Sequence, residues 1–313
     1  MSLIVKDLTK RYGDKTVLDH LSFSMEKPGV YALLGTNGAG KTTAIRMMLG
    51  MLAKDAGTVL YNEKDLDIAT CNVGYLAEER GLYPKYTLMD QLLYFTSLRG
   101  VDKKDAKERI SYWAKRLEVE EYLYPPVSPK GRKGKPKTAD QLSKGNQQKI
   151  QFMIALLSDP ELIILDEPLS GLDPVNTDLF KSVIREQIDA GKYLIMSSHQ
   201  MSTVEEFCTD ITILNRSKTV LQGNLNDIKK GYGRVNLRLK TEADPLPFIE
   251  KVQAEVLSHI ENDYCLKVKN EAHANALLSC LVSAGVPIIS FDLREPSLHE
   301  IFVEKVGNAN EDL

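Results

Sequence analysis

The run Gly35-Thr36-Asn37-Gly38-Ala39-Gly40-Lys41-Thr42 constrains this chain more than any other feature. It follows the apolar stretch Val30–Leu34 and precedes the helical periodicity of Lys41–Leu52, so the spacing predicts a strand, a loop and a helix in succession. Gly35, Gly38 and Gly40 let backbone N–H groups close on phosphate oxygens without interference from a Cβ. The N-terminus of the helix adds a partial positive charge aimed at the same point. Lys41 can then reach the β- and γ-phosphates of a nucleotide, and the Thr42 hydroxyl can ligate Mg²⁺.

Three further segments bear on the same chemistry. Leu162–Leu165 reads as a buried strand, with Asp166 and Glu167 at its C-terminal end, where ligands bind in an open α/β sheet. Asp166 is placed to hold Mg²⁺ through water, and Glu167 to accept a proton from an attacking water. His199 follows the strand-like Tyr193–Ser197 and can point at a γ-phosphate. Leu142-Ser143-Lys144-Gly145-Asn146-Gln147-Gln148-Lys149 reads as a helix N-terminus, with Ser143 as its cap and Gly145 allowing close backbone approach. Spacing alone does not say which anion it would meet.

The surrounding chain alternates short β-branched runs with helical patterns, which predicts α/β organisation. Leu18–Met25, Val30–Leu34 and Val73–Leu76 read as strands, and Thr87–Leu117 as inserted helices broken at Arg99-Gly100-Val101-Asp102. The four prolines and five basic residues of Tyr124–Lys137 predict an irregular solvated loop; a contact for phospholipid headgroups or an acidic partner is the alternative. After Gly231–Gly233 the pattern changes to a small α+β unit: strands at Arg234–Lys240, Tyr264–Val268 and Pro287–Leu293, helices at Phe248–Leu257 and Ala272–Ala284. A length of 313 residues suits two domains, here 1–230 and 231–313. The four cysteines are scattered without a CxxC pair, which disfavours a zinc site or disulfide framework and suits a reducing cytosol. The net charge of -3 gives no general attraction to nucleic acid. The apolar runs are too short for a bilayer span, and the N-terminus has neither a basic n-region nor a cleavage site, so secretion is not expected.

Taken together and in this order, the motifs resemble those of the nucleotide-binding subunits of ATP-binding cassette (ABC) transporters, over roughly residues 1–230. Gly35–Thr42 matches Walker A, Leu142–Asn146 the signature loop, Leu162–Asp166 with Glu167 Walker B, Ser170-Gly171-Leu172-Asp173 the D-loop, and His199 the switch histidine. The phrases at 74–84 and 142–149, and the closing Pro296–Phe302, are similar to the bacterial branch that serves ABC-2 type permeases, including sodium-efflux and bacitracin-resistance exporters. The resemblance implies a P-loop NTPase fold with a helical subdomain at about 87–158, and ATP and Mg²⁺ as cofactors. It places Tyr12 against adenine and adds Thr43 to the phosphate-binding residues. It implies Glu167 and His199 as catalytic groups, and Thr42, Glu78 and Asp166 around the metal. Two subunits, identical or paralogous, would close head to tail, so that Ser143 and Gly145 of one complete the site of the other. The helical insertion would touch an integral-membrane permease, the chain itself being cytoplasmic and peripheral on the inner face of the cell membrane, and export is the favoured direction.

The chain departs from the family pattern in its signature and its Q-loop, and its basic Pro-rich segment before the signature is longer than is usual. The signature reads Ser-Lys-Gly-Asn in place of Ser-Gly-Gly-Gln, and the Q-loop glutamine aligns with Glu78, which accepts but does not donate hydrogen bonds. The rival reading is a soluble ABC-type ATPase switch, uncoupled from transport. Tandem translation factors carry two cassettes, whereas this chain has a single Walker A. DNA-repair ATPases separate Walker A from the signature by a long heptad region, which the interval from Lys41 to Ser143 lacks.

Overall fold

The computed structural model describes residues 2–79, 81–125 and 134–311. The expectation for Tyr124–Lys137 falls outside the described residues between 126 and 133. In chain order the first elements are β1 (Leu3–Tyr12), β2 (Lys15–Met25), β3 (Gly29–Gly35), α1 (Lys41–Met48), β4 (Ala56–Tyr61), β5 (Lys64–Asp65) and β6 (Val73–Leu76). The helical insertion follows as α2 (Leu88–Leu98), α3 (Lys103–Arg116), α4 (Glu120–Leu123) and α5 (Lys144–Leu156). Then come β7 (Leu162–Asp166), α6 (Pro174–Asp189), β8 (Tyr193–Ser198), α7 (Met201–Phe207), β9 (Asp210–Asn215) and β10 (Lys218–Asn224). The remainder is α8 (Leu225–Tyr232), β11 (Asn236–Thr241), α9 (Leu246–Val252), β12 (Glu255–Ile260), β13 (Asp263–Lys267), α10 (Glu271–Ser283), β14 (Ile288–Arg294) and α11 (Leu298–Glu311).

The chain divides into two compact units, residues 1–200 with 207–222, and residues 201–206 with 223–313. The division therefore falls at 222/223 and not at 230/231. The reason is local: Asn224 accepts hydrogen bonds from the backbone N–H groups of Asn226 and Asp227 and starts α8, whose end at Gly233 takes a positive φ of 71°. Glu205, although earlier in the chain, belongs with the second unit, where it pairs with Lys229 at 2.6 Å and accepts from the Leu298 N–H at 3.1 Å.

Two sheets build the first unit. One is a four-stranded sheet, β2-β1-β4-β5, and the other a six-stranded sheet, β10-β9-β3-β8-β7-β6. Within the second, β3 pairs in parallel with β8 and β9, and β7 in parallel with β6 and β8. All seven residues of β3 and all five of β7 are buried, as strands covered on both faces require. Leu33, Ile45, Leu162 and Ile164 pack with Leu3, Leu8 and Leu18 of the antiparallel sheet in one core. Truncating any of these leucines to alanine would cost about 2–5 kcal/mol, a large share of the ~5–15 kcal/mol that holds a domain folded.

The insertion breaks where the sequence predicts. Gly100 adopts φ 69° after α2, and Asp102 caps α3 by accepting from the Lys104 N–H. Helix α1 is shorter than its periodicity suggests: it ends at Met48 because Gly50 takes φ 71°, and the N–H groups of Met51 and Leu52 turn back to the Arg46 carbonyl.

The second unit carries the sheet β12-β13-β11-β14, with every neighbouring pair antiparallel. Its β-α-β-β-α-β succession is that of a ferredoxin-like fold. Leu237, Leu239, Leu266, Leu277 and Leu281 form its core. The expected helix Phe248–Leu257 is corrected here: α9 stops at Val252, Gln253 turns left-handed at φ 59°, and Glu255–Ile260 is an edge strand. All six residues of that strand are exposed, so no alternation of polar and apolar residues marks it.

Candidate active site

The glycine loop joins β3 to α1 in a conformation that its glycines permit. Gly35 and Gly40 have φ of 157° and 108°. A Cβ on Gly35 would lie 2.5 Å from the Leu214 carbonyl oxygen, and one on Gly40 2.6 Å from that of Val17. Strain and backbone collision together exclude other residues at both positions. Lys41 opens α1 almost fully buried, and its Nζ donates to the carbonyls of Gly35 at 2.9 Å and Thr36 at 3.3 Å. A cavity of about 320 Å³ lies against this loop. Asn37, Gly38, Gly40, Lys41, Thr42 and Thr43 form one side of its lining, and Val17, Glu78 and Glu167 complete it.

The carboxylates are set by strand register. Asp166 at the end of β7 lies opposite Ser197 of β8. The Ser197 hydroxyl, fully buried, donates to Asp166 Oδ1 at 2.5 Å and accepts the Glu167 N–H at 2.9 Å. Thr42 Oγ1 donates to the same Asp166 oxygen at 3.3 Å. Glu167 holds φ 49°, a left-handed conformation that costs a non-glycine residue on the order of 1–3 kcal/mol and persists only where its surroundings impose it. Its Oε2 meets His199 Nδ1 at 2.9 Å, and its Oε1 faces Lys41 Nζ at 3.3 Å.

Among the described residues, two buried side-chain atoms lack a hydrogen bond, Asp166 Oδ2 and Glu167 Oε1. The second is an ion-pair partner of Lys41 without hydrogen-bond alignment, so its charge is balanced. The first has no such balance. Burial pushes the Asp166 carboxyl above the usual carboxylate range, against the hydrogen bonds from Ser197 and Thr42. A buried, half-satisfied carboxylate beside a threonine hydroxyl at a phosphate loop fits a hard divalent cation, whose charge would oppose that upward push. Glu78 lines the same cavity, whereas Glu79 turns to solvent and stands 3.8 Å from Arg46.

The chain thus gathers Gly38, Gly40, Lys41, Thr42, Thr43, Glu78 and Glu167 at one cavity, with Asp166 and His199 bonded to its members. Gly35, Thr36 and Ala39 belong to the loop, Thr36 accepting the Ala39 N–H at 3.1 Å. Three expected residues lie neither on the lining, nor in the loop, nor bonded to either. Tyr12 ends β1 more than half exposed, with Lys10 Nζ 5.2 Å above its ring. Ser143 caps α5, accepting from the Asn146 N–H at 3.3 Å. Gly145 faces Leu172 and Asn176. Val17 and Ser197 went unread in the sequence. A serine closing the apolar run Tyr193–Met196 was the available signal for Ser197, and Val17 had none.

Comparison with known proteins identifies the family. The ABC transporter family matches residues 18–170, and the C-terminal domain of DrrA1-3-like ATP-binding proteins matches residues 223–306. An uncharacterized ABC transporter ATP-binding protein of Bacillus subtilis, YhaQ, is 39% identical over 97% of this chain and 98% of its own. The bacitracin transport ATP-binding protein BcrA of Bacillus licheniformis is 28% identical over 98% of each chain. A solved structure of an ATP-binding subunit of an ABC transporter superposes with a TM-score of 0.65 at 28% identity, covering 74% of this chain and 93% of its own. With its phosphate loop, its paired carboxylates and a relative of this similarity matched along almost its whole length, the chain belongs to the ABC transporter ATP-binding proteins and is an ATPase of that family.

Proposed function

We propose that two copies of this chain close head to tail around two Mg-ATP and drive a separate ABC-2 type permease in the export direction, from the inner face of the membrane. The observation that carries the dimer is the composition of the cavity: Lys41 and Glu167 line it, while Ser143 and Gly145 do not. A second copy supplies them. The Nod factor export ATP-binding protein I of Ralstonia nicotianae, 28% identical over 99% of this chain, supports export, and among the described residues no helix is long and apolar enough to cross a membrane.

In this reading the loop N–H groups and Lys41 bind the phosphates, Lys41 exchanging its loop carbonyls for phosphate oxygens. Bound Mg²⁺, held by Thr42 and through water by Asp166 and Glu78, would neutralise charge on the β- and γ-phosphates. Glu167 accepts the proton of the attacking water, and His199 orients Glu167 and meets the γ-phosphate. Tyr12 stacks on adenine after moving toward the loop. Replacing Glu78 by alanine is expected to raise the Mg²⁺ concentration for half-maximal ATPase roughly tenfold. Replacing Glu79 leaves it unchanged; the reverse pattern in a Mg²⁺ titration would put the metal contact at Glu79.

The permease docks on the insertion, where Tyr83, Tyr86, Asp90, Gln91 and Tyr94 line a cavity of about 430 Å³. Buried Gln91 fixes its rim: Oε1 accepts the Tyr83 N–H at 2.8 Å, and Nε2 donates to the carbonyls of Tyr83 and Tyr86 at 3.0 Å. Exposed tyrosines on a rigid rim are the usual anchors of a protein interface. Tyr86→Ala with Tyr94→Ala should weaken binding to membranes containing the cognate permease by about 2 kcal/mol, roughly thirtyfold, while ATPase in solution holds. Undiminished membrane binding with full permease-stimulated turnover would place docking elsewhere.

A further inference from the structure

Helix α5 begins beside Ser143, the residue proposed to meet the partner subunit's nucleotide. Gln148 and Gln151 stand three residues apart on it and so share one face. Each reaches main chain at the end of a different core strand. Gln148 Nε2 donates to the Pro168 carbonyl at 2.7 Å, and Gln151 Nε2 to the Glu79 carbonyl at 3.2 Å. Pro168 directly follows Glu167, and Glu79 directly follows Glu78. The two acids on the cavity wall are therefore each one residue away from a tether to the same helix.

The tether at Pro168 acts on a strained residue. Glu167 at φ 49° must be held against relaxation. Its N–H is held by Ser197 Oγ, and its carbonyl accepts the Ser170 N–H at 3.1 Å. Those holds come from the core sheet and the turn after β7. The next carbonyl, on buried Pro168, is held from the helical insertion. Without the Gln148 amide it would have to find another donor in a buried position.

We infer that Gln148 and Gln151 are positioning residues that make the placement of Glu167 and Glu78 depend on the position of α5. The inference rests on the head-to-tail reading above. A nucleotide gripped by Ser143 of one subunit moves that subunit's α5, and α5 in turn sets the carboxylates of that subunit's own site. Hydrolysis in each site is thereby conditional on occupation of the other.

Methionine in place of either glutamine keeps length and flexibility but removes the donor, and Gln148→Lys keeps a donor. In full-length protein with ATP as the probe, Gln148→Met should lower kcat about tenfold while KM and equilibrium ATP binding stay within about twofold, as expected for a small misplacement of a catalytic group. Gln148→Lys should recover a third or more of the turnover. Gln151→Met should shift the Mg²⁺ requirement in the direction of Glu78→Ala. Turnover within twofold of wild type in Gln148→Met overturns the inference. So does a parallel fall in kcat, ATP affinity and thermal midpoint that the lysine variant does not relieve, since that is loss of structure. Glu167→Gln measured alongside separates the two readings. If it turns over normally, the assignment of the base fails; if it is inactive while Gln148→Met is normal, the tether alone fails.

Discussion

Glu167→Gln binds ATP about as tightly as the wild type and hydrolyses it more slowly by at least about a hundredfold, the contribution a positioned general base makes. The side chain keeps its size, so the left-handed backbone at Glu167 and its hold by Ser197 are preserved. The phosphate loop does not depend on the carboxylate, since Lys41 Nζ is also held by the carbonyls of Gly35 and Thr36. What disappears is the basic oxygen, together with the ion pair to Lys41 and one acceptor for His199. ATP that is bound but not cleaved should hold two subunits together, so the variant should elute as a dimer with ATP and as a monomer with ADP. Single-turnover phosphate release measures the chemical step directly. A rate within threefold of wild type would remove Glu167 from the role of base.

A mixture of Lys41→Ala and Ser143→Arg subunits should recover ATPase activity, or ATP-dependent closure where two working sites are needed, that neither variant has alone. In the head-to-tail arrangement both lesions fall in one site, and the other keeps an intact Lys41 and an intact Ser143. If each chain completed its own site, no site would be intact. The arginine is chosen for bulk: removing the hydroxyl alone would cost about 1 kcal/mol, too little to decide the matter. That loss of the α5 cap is small beside a domain's stability, so the variant folds. Circular dichroism and subunit exchange establish that both variants are folded and mix. An inactive, non-closing mixture under those conditions would count against the sandwich.

Much of the site is local and therefore legible in the chain. Gly35 and Gly40 are required by positive φ and by backbone oxygens within 2.6 Å of any Cβ, and such demands leave glycines at fixed spacing. Asp166 and Glu167 could be read because they end an apolar run whose burial follows from its composition. Helix ends were less legible. Periodicity carried α1 past Met48 and α9 past Val252, since the residues that end them, Gly50 and Gln253, act through a left-handed turn that hydrophobic spacing does not register. The expected helix Phe248–Leu257 runs into the first half of strand β12, because exposure on every residue of that strand erases the alternation by which a half-buried strand is recognised.

The sequence by itself determined the phosphate loop, the carboxylates at a strand end and the capped helix at Ser143. Each of these is a property of a few consecutive residues, governed by backbone freedom, capping and apolar periodicity. Only the tertiary structure decided that Ser197 holds both Asp166 and Glu167, that Val17 walls the cavity while Tyr12 does not, and that Gln148 and Gln151 reach the chain beside the two acids. The hydrogen bonds among them join residues 20 to 72 positions apart. They depend on which strands lie side by side and in what register, and lateral pairing is a choice made by the packed core as a whole, with no trace in the spacing of any one segment.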